Sequence, residues 1–228
     1  MKGARSVSPG KLVVIGLWLV LIIVCFIHRD ELTIEAIVNF TPDEPIWAAA
    51  VMLGLFTLKG CTVLVNGNIL YAASGVLFSL PGAILVNTAG TFVMTTIPFF
   101  IGRKGGETTM EALTQKYPKL AALRNAPRRS EFSFTFFLRI LGILPCEPVG
   151  MYLGACGIHY DKYICGTFLG LVPAIVAYAV IGEYAAQPTS PQFIIAACFL
   201  AAITLCTIIA GLLLKCRTMK TERNDGID

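Results

Sequence analysis

FTFFLRILGILPCEPVGMYLGACGIHYDKYICGTFLGLVPAIVAYAVIG, running from Phe134 to Gly182, decides how the rest of the chain is read. The stretch is apolar enough to lie in a bilayer. Yet it carries Arg139 and Glu147 and is punctuated by Pro145, Pro148, Gly150, Gly154 and Gly157. Hydrocarbon offers no partner to a backbone N–H or C=O, so a broken helix survives there only where protein or a wet cavity satisfies it. A charge at that depth costs roughly 3 kcal/mol and marks a pathway or a site. The pattern predicts a re-entrant hairpin folded at Pro145-Cys146-Glu147-Pro148, followed by a full span from Tyr163 to Ile181.

Composition points the same way. Of 228 residues, 56% are hydrophobic and 14% charged, with a mean hydropathy of +0.74, as in a polytopic membrane protein. The net charge of +4 lies in patches and carries no nucleic-acid signature. Eight cysteines stand singly, and the histidines are only His28 and His159. No metal or other cofactor is therefore expected.

Outward from that stretch, basic residues Lys2, Arg5 and Lys11 precede an apolar run, Leu12 to Ile27. No small-residue cleavage pattern ends it, which favours an uncleaved first span over a signal peptide. His28 to Pro45 is acidic, with Ile34, Ile37, Val38 and Phe40 spaced for a short surface helix. Ile46 to Phe78 is apolar but interrupted by Lys59-Gly60 and by Asn66-Gly67-Asn68, a strong turn signal. A first hairpin follows: in from Ile46, turning near Asn66, out through Leu70 to Phe78. Ala83 to Ile101 makes the next span. The basic segment from Arg103 to Glu131 reads as cytoplasmic, with Leu113, Tyr117, Leu120 and Leu123 as a helix against the membrane face. Gln192 to Leu214 is the last span. The loop charges predict a multi-pass protein with both termini cytoplasmic.

The two hairpins repeat one pattern. Phe56, Leu58 and Lys59 recur at an offset of 80 as Phe136, Leu138 and Arg139. Asn66 and Gly75 recur at 79 as Pro145 and Gly154, and Gly90 and Gly102 at 80 as Gly170 and Gly182. The first hairpin enters from outside and the second from inside. The expected fold is thus all-α and integral to the membrane: an inverted repeat of two re-entrant helical hairpins, each followed by a transmembrane helix, plus N- and C-terminal transmembrane helices. Broken helices meeting near the midplane are the architecture of many secondary transporters.

Arg139, Leu144-Pro145, Gly154, Gly166-Thr167, Gly170, Pro173, Tyr178 and Gly182 together resemble the signature of the VTT-domain superfamily, the DedA or SNARE-associated Golgi protein group. The likeness is greatest to its Tvp-like branch. In the first half Asn66-Gly67, Gly75, Gly90 and Gly102-Arg103 match its turn, glycines and Gly-Arg end. The resemblance covers Ile46 to Tyr184, and the chain divides into 1–45, a VTT-like domain over 46–184, and 185–228. It implies two facing hairpins and movement of lipids across the bilayer, with anionic phospholipids, polyprenyl phosphates and protons as partners. Short single-domain members of this kind imply a bacterial cell membrane. Two departures stand out: Asn66-Gly67 replaces the usual Pro-Gly turn, and Asn68 replaces an acidic residue that many members carry there.

Candidate translocation residues are Arg139, Glu147, Lys59, Asn66, Asn68 and Pro145. A guanidinium matches phosphate geometry and stays charged, so Arg139 is fitted to hold a lipid phosphate; it is equally fitted to pair with Glu147 or cap turn carbonyls. Glu147, placed at the hairpin tip, is either a proton carrier or a fixed partner of Arg139 or Lys59. Lys59 is either a second cation of the site or a side chain snorkelling to the interface. Asn66 and Asn68 either serve turn backbone or line the cavity. Gly67, Gly75, Pro148, Gly154, Gly170, Pro173 and Gly182 are expected to shape the hairpins and allow close packing. The leading expectation is a lipid transporter or scramblase. An ion- or proton-coupled carrier of a small soluble anion, or a non-transporting scaffold, stands as the alternative. No nucleophile–base pair is evident, so an enzyme is not expected.

Overall fold

The computed structural model describes residues 33–42, 44–62, 66–117, 120, 130–140, 142 and 144–225. The expected first span, Leu12 to Ile27, and Leu123 lie outside them. The described elements are helices α1 (Ile34–Phe40), α2 (Pro45–Cys61), α3 (Gly67–Leu77), α4 (Leu80–Lys116), α5 (Glu131–Ile140), α6 (Cys146–Ala155), α7 (Tyr160–Glu183) and α8 (Pro191–Asp225). No strand occurs among the described residues. Helices α4 and α7 are long and apolar enough to cross a membrane, while α2, α3 and the Pro191–Cys206 part of α8 are shorter apolar helices.

Both predicted breaks exist. Asn66 starts α3 by accepting the Asn68 amide on its side chain at 3.0 Å, a normal helix N-cap. The second break lies a little earlier than expected, between Ile140 and Cys146, with Gly142 at φ 54°. Glu147 and Pro148 therefore belong to the first turn of α6 rather than to the tip of the turn. Proline is tolerated there because its missing N–H falls where the helix has no internal acceptor. At its other end α6 closes with Gly157 at φ 75°. The Gly157 amide reaches the Gly154 carbonyl and the Ile158 amide that of Leu153, a Schellman close with both apolar side chains buried.

Helix α4 outruns its expected end at Ile101. Arg103 and Lys104 do not break a helix, and the backbone leaves helical geometry only at Gly106, φ 52°. Beyond it Leu113 is buried, and so is Leu120, in one cluster with Phe99, Leu138, Val149 and Tyr152. The face spaced for membrane contact thus packs on protein. Helix α1 does bury one side: Ile37 joins a second cluster with Met52, Phe56, Leu70 and Tyr71, while Phe40 is 78% exposed.

Packing crosses between the halves. Helix α2 packs on α4 and α5 on α7, whereas α3 lies along α7 and α6 along α4. Glycines set the close approaches: Gly75 lies against the Ala179 carbonyl and Gly154 against that of Phe99; Gly182 meets the Ala72 carbonyl and Gly102 that of Met151. These four contacts form two pairs whose members are 79 or 80 residues apart. The turns are tied likewise, Arg103 donating to the Ile158 carbonyl (2.7 Å) and Glu183 accepting the Leu80 amide (3.3 Å).

Much of the surface is apolar, and the interior holds polar side chains beside the two apolar clusters. Ser74, Asn87, Thr91, Thr95, Thr135 and Thr167 are wholly buried, while Ile46, Leu85 and Ile195 are 82%, 71% and 68% exposed. Large apolar side chains spread over long helices suit lipid, not water.

At the start of α5, Glu131 accepts the His159 backbone amide (3.1 Å) and faces its ring Nδ1 (3.0 Å), pinning α5 to α7. The amide bond above all, then the ring, holds the Glu131 carboxyl below its ordinary value of 4.5. A lowered folded-state pKa gives stability that is present above 4.5 and lost as pH falls through the folded value. Thermal unfolding in detergent should therefore show a smaller acid loss in Glu131→Gln than in wild type between about pH 5 and pH 3. Identical acid slopes would sever that link.

Candidate functional site

Where the two breaks meet, a cavity of about 880 Å³ opens. Lys59, Asn66, Asn68, Arg139 and Pro145 line it, five of the six residues singled out from sequence, together with Gly67, Gly170 and Pro173. Its remaining wall is mostly apolar, from Leu138 and Leu144 around the second break and Leu171 of α7 to Phe199, Leu200 and Ile203 of α8, with the hydroxyl-bearing Tyr71, Tyr178 and Thr204 among them. The first residues of α3 and α6 stand at its edge, so two helix N-termini, each a partial positive charge, border it.

Arg139 is only 5% exposed. Its Nε donates to Thr167 Oγ1 (3.3 Å), Nη1 to the Cys146 carbonyl (3.1 Å) and Nη2 to the Tyr163 hydroxyl (2.8 Å). The guanidinium also stands 5.6 Å from the centre of the Tyr163 ring. Tyr163 in turn donates to the Thr95 carbonyl (2.9 Å) and stacks on Phe99 with centroids 4.3 Å apart. Gly166 and Gly170 make this possible: a Cβ at Gly170 would stand 2.7 Å from Arg139 Cβ, so α5 reaches α7 only because that atom is missing. A guanidinium has five N–H donors, and three bonds to described residues leave two uncommitted.

Arg139 does not pair with Glu147. That carboxylate binds Lys59 Nζ across 88 residues of sequence, joining α2 to α6. Lys59 is 6% exposed and Glu147 4%, so the lysine does not snorkel outward; the last turn of α2 buries Leu58, Lys59 and Gly60 and carries the amine inward, while Cys61 at the helix end is exposed. Glu147 Oε2 has no hydrogen-bond partner among the described residues. Glu147 itself is not part of the cavity wall. Asn66 and Asn68 are exposed at the break, Asn66 serving as the α3 cap.

The reading of the sequence missed Tyr163 and the polar stripe of α4. Tyr163, Thr167 and Gly170 follow i, i+4, i+7 spacing, one helix face presenting polar or small groups. Asn87, Thr91 and Thr95 do the same on α4, where Asn87 donates to the Tyr71 carbonyl (3.2 Å) and Thr91 meets the Tyr71 hydroxyl (2.9 Å). Polar residues every fourth position in an apolar helix were the available signal.

A family model for the VTT domain matches residues 65–184, more than half of the chain. The chain belongs to the VTT-domain family. No curated protein and no solved structure matches it. VTT-domain proteins are membrane-associated and are regarded as transporter-like. The matched residues contain Arg139, Glu147, Tyr163 and the glycine contacts of both halves. Lys59 and α2 precede them, yet α2 packs on α4 of the VTT domain and Lys59 pairs within it. Among the described residues no group of three or more His, Cys, Asp or Glu side chains is placed to hold a metal ion.

Proposed function

We propose that this VTT-domain protein is a multi-pass lipid transporter or scramblase, not an enzyme, that slides a phosphate-bearing headgroup past Arg139 while the acyl or prenyl tails stay in the bilayer. The observation that carries this reading is the buried Arg139 on the cavity wall with two N–H donors uncommitted among the described residues. An uncompensated guanidinium in low dielectric attracts an anion strongly, and phosphate fits its fork. The two bordering helix N-termini add to the same positive field. The mostly apolar remainder of the wall suits a chain that is lipid on one side of its headgroup.

On this reading α2–α3 and α5–α6 are re-entrant hairpins of an inverted repeat. The paired glycine contacts support it, as does the crossed packing of α3 on α7 and of α6 on α4, the second arm of each hairpin lying along the other half's long helix. Loop charges favour both termini on the cytoplasmic side of a cell membrane. The Arg139, Pro145 and Gly154 spacing favours a Tvp-like member, with anionic phospholipid or polyprenyl phosphate as the passenger.

The test is leaflet exchange in liposomes, using labelled phospholipids and a labelled polyprenyl phosphate. Arg139→Ala should slow exchange about tenfold or more, since each charge-assisted hydrogen bond contributes about 1.5–3 kcal/mol. Arg139→Lys, which keeps charge but loses the fork, should fall between. Folded wild type that exchanges no lipid would overturn the proposal in favour of a soluble-anion carrier.

A further inference from the structure

We infer that Glu147 is an internal stand-in for the ligand's anion. Lys59 is then the cavity's second anion-binding cation, held closed by Glu147 until a phosphate takes the carboxylate's place. The inference rests on the anion-binding reading above.

Four observations carry it. Lys59 belongs to the cavity wall and Glu147 does not, so the amine has a second place to turn and the carboxylate lies behind it. The pair bridges α2 and α6, which otherwise share little surface, so opening it disturbs no packed interface. Glu147 uses one oxygen, its Oε2 having no partner among the described residues, whereas the large majority of buried side-chain polar atoms are hydrogen-bonded. Finally, Glu147 sits in the first turn of α6, where the helix N-terminus steadies a carboxylate that has lost its lysine. The stem of Lys59 passes beside Gly67, its Cε standing 3.6 Å from where a Cβ would be.

While the pair is closed Lys59 is neutralised and Arg139 acts alone. A ligand that binds only the open arrangement has its apparent affinity reduced by the open fraction. Releasing the lysine should therefore tighten binding, by about a hundredfold if the pair is open about a hundredth of the time.

The full chain in phosphatidylcholine nanodiscs would be titrated calorimetrically with dioctanoyl phosphatidic acid and, separately, with inorganic phosphate. Glu147→Gln should bind the phosphatidic acid about a hundredfold more tightly than wild type. Lys59→Met should bind more weakly, and the double variant should match Lys59→Met. A comparable gain for inorganic phosphate supports the inference with free phosphate as the source of the anion. Should Glu147→Gln fail to fold, Glu147→Asp shortens the carboxylate without removing its charge and should show a smaller gain. A folded Glu147 variant with no gain, or a gain that persists without Lys59, overturns the inference while Arg139-dependent binding by wild type keeps the proposed function. Wild type that binds neither probe overturns both.

Discussion

Lys59→Met is expected to destabilise the folded protein by about 3–5 kcal/mol, the cost of leaving a buried charge without its partner. Glu147→Gln should cost only about 1–2 kcal/mol, close to one lost hydrogen bond. The asymmetry follows from position. An unpaired Lys59 can present its amine to the cavity that it already lines, whereas an unpaired Glu147 is 4% exposed and stands outside that wall. Replacing both, as Lys59→Met with Glu147→Leu, should restore most of the stability, because an apolar pair of similar volume removes the desolvation penalty of both ions. Thermal unfolding in one detergent, with all four proteins compared, reads the result directly. Equal losses for the two single substitutions would mean that Lys59 is trapped as firmly as Glu147. The double variant would then still recover, but the lysine would have no second position.

That pair also shows where sequence stops informing. Charges in an apolar run are conspicuous, so Lys59, Arg139 and Glu147 stand out at once. Their partners do not, because partner choice depends on which helix crosses which. Lys59 and Glu147 are 88 residues apart, and only the docking of α6 along α4, beside α2, brings them together. The breaks at Asn66-Gly67 and before Pro145 are legible because a turn within an apolar run demands unusual residues. The exact end of the second turn is less so: Pro145 and Pro148 suit a first helical turn as well as a bend, and Gly142 is the residue that takes the left-handed backbone. Tyr163 was missed for a different reason. A tyrosine at the edge of an apolar run is ordinary at a membrane surface, and only its spacing from Thr167 distinguishes it.

Gly102→Ala and Gly182→Ala, the second largest expected effect, should each deplete the folded protein severely, by more than the 1–3 kcal/mol typical of an overpacked core. A Cβ at Gly102 would overlap the Met151 carbonyl, and one at Gly182 the Ala72 carbonyl. These obstacles are helix backbone, which cannot rotate aside as a side chain can. Relief requires α6 to move off α4, or α3 off α7, and those are the contacts that hold the broken helices against the long ones. Gly75 and Gly154 face the same limit against the Ala179 and Phe99 carbonyls. Gly54 is the internal control: in the same kind of apolar helix, nothing lies within 4 Å of its would-be Cβ. Gly54→Ala should be neutral or stabilise by about 0.5–1 kcal/mol through helix propensity alone. Yield of monodisperse protein and its unfolding temperature, measured side by side, distinguish the two sets. If Gly102→Ala were as stable as Gly54→Ala, α6 would not approach α4 this closely, and Arg139 would lose the Cys146 carbonyl of α6 that helps to fix it at the cavity wall. The glycine contacts and the proposed anion site therefore stand or fall together, since helix separations at the crossings decide whether one guanidinium can reach α6 and α7 at once.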